Sequence, residues 1–336
     1  MNTGHLLSRE RWEEAVEGLI RDYKIYAPVN LWGHMDYERI NPENVKQIVY
    51  NFPRPITPLK TFFLPVKQNV SQSTVNEKMV ILGVPSCDLQ ALHLLDAIYL
   101  DEKLPDTVYK KRRENTILIG SDCHQTLDSC HCTTYGINPY PESNIDILLN
   151  LIGDKIILEA HTEKGQDLVN NILSLVKSSA VEENTRQEIL AAREKTKAEL
   201  FNRNKNLPDY MTTGKLIRET NGTIWKKYAE DCVSCGACAA SCPTCSCFLL
   251  IDRPGFEKIR NLDTCQYPGF ERVAAGEDPL KPLSQRFKNR YMCKYVWKPV
   301  RYDAVACTGC GRCIDACIGR INKNELIVEL MDKVTV

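Results

Sequence analysis

Charge of one sign is what this chain lacks. Its 336 residues carry 43 basic and 43 acidic side chains, so no net field draws it to nucleic acid or to an anionic membrane surface. Long apolar runs are missing too. No uncharged stretch nears the ~18–20 residues of a membrane-crossing helix, and no membrane insertion is expected. The opening MNTGHLLSRERWEEAVEGLI puts charges where an export signal needs its apolar core, which leads to the expectation of a cytoplasmic protein. Nucleotide and hydrolytic motifs are absent: there is no G-x-G-x-x-G after a strand, no G-x-x-x-x-G-K-[ST] and no H-E-x-x-H. What remains is ordinary for a folded chain, 43% hydrophobic and 26% charged, long enough for one large or two ordinary domains.

Cysteine, by contrast, is plentiful, with 16 in the chain. In a reducing compartment, clustered cysteines hold metal or do redox work rather than form disulfides. Their distribution is uneven: Cys87, Cys123, Cys130 and Cys132 form one set, 133–231 has none, and the other twelve lie between 232 and 317. That gap is the best boundary signal. It divides the chain into an α/β domain over 1–164, a helical spacer over 165–214, a cysteine-rich domain over 215–325 and a tail over 326–336.

The pattern along the first part is β-α-β. The first 25 residues read as an amphipathic helix through Trp12, Val16, Leu19 and Ile20, and 51–66, with four prolines, as extended chain. MVILGV (79–84), TILI (116–119) and KIILE (155–159) read as strands, with a helix over 89–99 between the first two. Strands alternating with a helix predict an open, largely parallel sheet. The run 165–205 reads as helical, and nothing after 215 reads as a sheet. Lys110–Arg113 reads as a solvated basic face.

One internal repeat dominates. Cys232, Cys235, Cys238 and Cys242 recur 75 residues later as Cys307, Cys310, Cys313 and Cys317, both copies reading C-x-x-C-G-x-C-x-x-x-C. Three cysteines at two-residue spacing wrap one [4Fe–4S] cube in a single loop, and the fourth ligates the other cube. The glycine after the second cysteine permits the tight turn. One cluster is therefore assigned to Cys232, Cys235, Cys238 and Cys317, and a second to Cys307, Cys310, Cys313 and Cys242. A pair of tetrahedral zinc sites is the competing reading, but zinc does not require the repeated fourth cysteine. Pro243 follows Cys242 as in the bacterial ferredoxin run, while Ile318 follows Cys317 where that run has proline.

The first set is less regular. Cys87 and Cys123 each follow a strand, at the carboxyl edge where open α/β sheets place ligands, and Cys130 and Cys132 follow in a loop. Together they make a candidate third cluster; the alternative is four separate buried thiols acting as small hydrophobes. His124 and His131 lie among them and are possible substitutes for a thiolate. Cys245, Cys247, Cys265 and Cys293 remain; a fourth cluster is arithmetically possible, but their spacing is irregular, and they read as thiols packed beneath the first cluster and shielding it. Each four-thiolate cluster carries about −2 when oxidised and about −3 when reduced. The basic segment Lys281, Arg286, Lys288, Arg290, Lys294, Lys298 and Arg301 is thus expected to turn several cations toward a cluster or an acidic partner.

The runs GVPSCDLQALHLLDAIYL, C-x6-C-x-C from Cys123 to Cys132, CVSCGACAASCPTCSCF, DTCQYPGF and CTGCGRC, in that order, resemble the iron–sulfur β subunit of cytoplasmic NiFe sulfhydrogenases and the closely similar iron–sulfur subunit of anaerobic sulfite reductase. The resemblance implies a ferredoxin-type electron-transfer subunit of a hetero-oligomer, with [4Fe–4S] clusters on the N-terminal cysteines and on both repeats. It also implies two partners: a flavoprotein of the ferredoxin–NADP reductase type, which serves a nicotinamide, and a terminal catalytic subunit of the NiFe hydrogenase or sulfite reductase type. Such relatives tend to have an aromatic residue at His131 and often a histidine at Cys293. Two other functions stay open at this level. One is a zinc-stabilised scaffold or assembly factor, and the other is an enzyme whose N-terminal cluster binds substrate.

Overall fold

Short, continuous apolar runs, buried on both faces, build the centre of the first half of the molecule. In the computed structural model, which describes residues 4–71 and 75–334, these runs belong to one sheet of β1 (His5–Ser8), β2 (Lys24–Leu31), β3 (His34–Arg39), β5 (Met79–Val84), β6 (Thr116–Ser121), β7 (Ile147–Ile152), β8 (Lys155–Ala160) and β9 (Ser179–Ala180). A further strand, β4 (Lys67–Asn69), joins a second sheet with β10 (Phe248–Arg253) and β11 (Glu257–Leu262). Strand order in the large sheet is β3-β2-β5-β6-β7-β8-β1-β9. Alternate side chains go to opposite faces. Val80, Leu82, Ile117, Ile119, Ile147 and Leu149 pack with Trp12, Val16, Leu168 and Ile172 of the helices Arg9–Leu19 and Glu163–Leu175. On the other face Ile81, Leu118 and Leu148 meet Leu89, Leu92 and Leu95 of the helix Ser86–Tyr99. Burying each such side chain contributes about 1.5–3 kcal/mol.

Four expectations need correction. The sheet is mixed rather than largely parallel. β2, β5, β6 and β7 are parallel neighbours, but β3, β8, β1 and β9 add antiparallel pairings; Gly153 at φ 58° folds β7 back onto β8, and the turn at Trp32 and Gly33 folds β2 back onto β3. The N-terminal helix occupies only Arg9–Leu19, flanked by β1 and β2; residues 1–3 of that expectation lie outside the described residues. The cysteine-rich part is not free of sheet, since β10 and β11 pair there and β4, from the N-terminal part, completes the sheet. Finally, Lys110–Arg113 is not all solvated: Arg112 donates to Phe63 O and Gln68, and Arg113 grips Asp96 through two hydrogen bonds.

The second half is mainly helical, around Tyr210, Ile217, Trp225, Phe287, Tyr291 and Tyr295. The helix Lys323–Val334 closes it, with Leu326, Ile327 and Leu330 fully buried. Most of the segment expected as a tail over 326–336 is thus core; residues 335–336 lie outside the described residues. The run 165–205 is helical except at β9, between Glu163–Leu175 and the helix Glu183–Arg203. That second helix packs on the first half: Arg193 grips Asp122, and Leu200 buries against Cys130 and Cys132.

Candidate metal centres

Both repeats form the same local structure. Gly236 and Gly311, at φ 74° and 75°, reverse the chain and start the four-residue helices Ala237–Ala240 and Arg312–Asp315. A β-carbon is disfavoured in this left-handed conformation. Two cavities lie between the repeats, and each is walled by cysteines of both. Cys232, Cys235, Cys238 and Cys317 line the first. Cys307, Cys310, Cys313 and Cys242 line the second, with Pro243. Cys313 lies on the wall of the first as well, so the two cavities are neighbours.

The N-terminal set gathers at the carboxyl edge of β5 and β6, which are parallel neighbours. Cys87 lies in the first turn of Ser86–Tyr99, just beyond β5, and Cys123 lies just beyond β6. The thiol of Cys123 faces Cys132 and Cys130, and Cys87 faces Cys310 and Cys123. The set therefore stands against the second cavity. Gly309 lets them meet. At φ 65°, its backbone lies so close to the C-x-C loop that an added β-carbon would be 2.6 Å from Cys132 N and Cα. His131 N–H donates to Gly309 O at 2.8 Å.

His131 does not replace a thiolate. It is fully buried; its Nδ1 lies 2.8 Å from Ser129 O, and its Nε2 lies 2.9 Å from Lys323 Nζ. Burial, then the Lys323 charge, hold its pKa well below the usual imidazole value, so it is neutral and accepts from the ammonium. His124 Nδ1 meets Asn51 Nδ2 at 3.1 Å, while its Nε2 is buried without a hydrogen-bond partner, 3.9 Å from Asp122 Oδ2.

Electrostatics test whether anionic clusters fit these sites. Buried cations surround the cavities: Arg290, Lys294 and Lys323 are 5%, 3% and 3% exposed. None has a carboxylate partner among the described residues. Lys294 Nζ donates to Cys242 Sγ at 2.8 Å and to Thr244 Oγ1 at 2.8 Å. Arg290 Nη2 donates to Cys238 O at 3.2 Å and Lys323 Nζ to Tyr295 Oη at 3.2 Å. Burial pulls the Lys294 pKa down, but Cys242 and Cys245 outweigh it and hold the ammonium well above its usual value. Unpaired buried charge costs several kcal/mol per ion. In addition, Arg290 Nε and Thr308 Oγ1, on residues lining these cavities, are buried without an acceptor. Cations lacking anions and donors lacking acceptors, around four sulfur ligands, fit [4Fe–4S] clusters with their inorganic sulfides. Among the described residues no three His, Cys, Asp or Glu side chains are drawn tightly enough to hold a single metal ion.

The thiols themselves are set for displacement of a proton by metal. Burial pushes Cys132 up to about 12 and Cys238 up to about 11. Cys310 also rises to about 11 by burial, against the opposing fields of Arg312 and Arg54. Cys242 goes the other way, held well below the ordinary thiol value by a hydrogen bond from Cys245 and by Lys294, Arg290 and Lys60.

The basic segment is divided. Arg286, Arg290 and Lys294, spaced by four, share the inward face of one helix and are buried, while Lys281 and Arg301 are exposed. Spacing by four was a signal available in the sequence. Lys60 and Lys323 carried no such signal, being single lysines far from the motifs. Substituting Lys294 by glutamine is expected to lower the potential of a cluster bound in the second cavity. Loss of a cation disfavours the more negative reduced state, and a charged hydrogen bond contributes about 1.5–3 kcal/mol. Only the difference between two anionic states counts, so a drop on the order of 50 mV is expected in a redox titration. An unchanged potential would place Lys294 outside the cluster's field.

Comparison with known proteins follows the same lines. Residues 231–321 match the family model of the 4Fe-4S dicluster domain. Over nearly its whole length the chain is similar to the sulfhydrogenase 2 subunit beta of Pyrococcus furiosus, 28% identical across 321 residues, with 92% of each chain covered. The resemblance to sulfhydrogenase β subunits carried by the motifs thus holds along the chain.

Proposed function

We propose that this protein is a multi-cluster electron-transfer subunit of a hetero-oligomeric oxidoreductase, with ferredoxin-type [4Fe–4S] clusters on both repeats and a third on Cys87, Cys123, Cys130 and Cys132. The observation that carries the reading is the continuity of the three cysteine sets. Cys313 belongs to the walls of both repeat cavities, and Cys310 faces Cys87 and Cys132. When bound, such clusters accept and donate single electrons; the chain's part is to hold them in a row, exclude water and set their fields. The similarity to a sulfhydrogenase β subunit supports a role within a larger complex. The partners we infer are a flavoprotein of the ferredoxin–NADP reductase type and a terminal subunit of the NiFe hydrogenase or sulfite reductase type. No described helix is long and apolar enough to cross a membrane.

The first cavity supplies a surface for such a partner. Cys235 is exposed, and Val233, Ile318 and Tyr267 near it are 62%, 68% and 43% exposed. The second and N-terminal sets lie deeper, with Cys242, Cys310, Cys87, Cys130 and Cys132 buried.

Anaerobically isolated protein tests the reading. It is expected to be brown, to bleach on reduction, and to lose about four irons in the Cys132→Ala variant. Unchanged iron in that variant would reduce the N-terminal set to ordinary thiols. A colourless, zinc-containing protein would overturn the whole reading in favour of a scaffold.

A further inference from the structure

Four cysteines stand outside the three sets, and the fold brings them to one place. Cys247 heads the β10–β11 hairpin, whose register pairs Phe248 with Leu262. Asp263 N–H donates to Cys247 O at 2.9 Å, and two residues later the Cys265 thiol interacts directly with that of Cys247. Cys245 is the other half of a C-x-C pair with Cys247 and faces it. Cys293 begins the π-helical turn Cys293–Trp297 and lies within electrostatic range of Cys247. The residue after it, Lys294, donates to Cys242 and Thr244, which pins this turn beside Cys245. π-turns inside helices are rare and occur mostly at functional sites.

The surroundings carry charge that the thiols alone do not neutralise. Lys60 reaches in from the N-terminal half, 3% exposed, and donates to Ala239 O at 3.0 Å and Cys245 O at 2.8 Å. It has no carboxylate partner among the described residues. Lys298 donates to Thr244 O at 2.8 Å and Ser246 Oγ at 3.2 Å. A buried ammonium held only by carbonyls is costly unless an anion sits beside it. The donor set also repeats the composition of the N-terminal one: a C-x-C loop plus two cysteines delivered by separate elements.

We propose that Cys245, Cys247, Cys265 and Cys293 hold a fourth [4Fe–4S] cluster, beside the second through the contact between Cys245 and Cys242. Transfer of a preassembled cluster from a thiolate carrier forms four Fe–S bonds here, breaks the carrier's four, and passes the four thiol protons to the thiolates left behind, with no change of oxidation state. Lys60 and Lys298 supply the positive field around it.

Iron, zinc and acid-labile sulfide are measured in the full chain isolated anaerobically, with the double variant Cys247→Ala/Cys265→Ala and the single variant Cys293→Ala beside it. The expected result is about sixteen irons per wild-type chain and about a quarter fewer in either variant, at four irons per cluster. Electron paramagnetic resonance of the reduced variants should show the other clusters retained. About twelve irons in the wild type with no loss in the variants overturns the proposal. So does one zinc per chain that disappears in the variants. The wild-type count stands even if a variant misfolds. Cys132→Ala, measured alongside, separates this site from the N-terminal one. Loss in the double variant but not in Cys132→Ala would remove the third cluster and keep this one.

Discussion

Arg312→Met will destabilise the protein by about 3–5 kcal/mol, the cost of leaving one partner of a buried ion pair uncompensated. Arg312 Nη1 and Nη2 bind the two oxygens of Asp88 at 2.5 and 2.7 Å, and its Nε donates to Pro55 O at 2.9 Å. Both side chains are essentially removed from solvent, at 1% and 0% exposure. Asp88 follows Cys87 and Arg312 precedes Cys313, so the pair joins the N-terminal set to the second repeat. Leu59 N–H is the remaining donor to Asp88 Oδ2, at 3.2 Å, and one amide cannot neutralise a carboxylate. In thermal unfolding followed by loss of visible absorption, the variant should fail well below the wild type. Arg312→Met combined with Asp88→Leu should recover much of the loss, because the stranded charge is gone. A single variant as stable as the wild type would mean that the pair does not join the two halves.

Cys242→Ala should remove the cluster of the other repeat. Its side chain lines the cavity of Cys307, Cys310 and Cys313, while Cys317 lines that of Cys232, Cys235 and Cys238. The expected result is a loss of about four irons and of the same paramagnetic signal that Cys310→Ala removes. Cys317→Ala should instead match Cys235→Ala. If Cys242→Ala matched Cys235→Ala, each repeat would bind its own cluster and the crossed arrangement would fail. Because Cys242 is also the acceptor of the Lys294 ammonium, this variant leaves a buried cation unpaired, and some loss of stability should accompany the loss of iron.

The parts of the molecule legible in its sequence are those whose causes are local. A cluster wrapped by one loop needs cysteines at two-residue spacing and a glycine able to turn, so the two repeats declared themselves. Short continuous apolar runs declared β5, β6 and β8. The fourth cysteine of each repeat follows a short helix that leads it away from its own loop.

The mixed character of the sheet was not legible, because β7 was not recognised as a strand; with only Gly153 and Asp154 between Ile152 and Lys155, β7 and β8 can join only as a hairpin. Neither was the burial of Lys60, the approach of Gly309 to Cys132, or the clip between Asp88 and Arg312, where residues far apart in the chain meet only once the sheet, the helix Ser86–Tyr99 and the second repeat have packed. The clearest case is the fourth group of cysteines. Cys245, Cys247, Cys265 and Cys293 have no spacing rule, since two strands of a hairpin and a π-turn deliver them separately. Local chemistry determines what one loop can hold, and long-range packing decides which loops share a site.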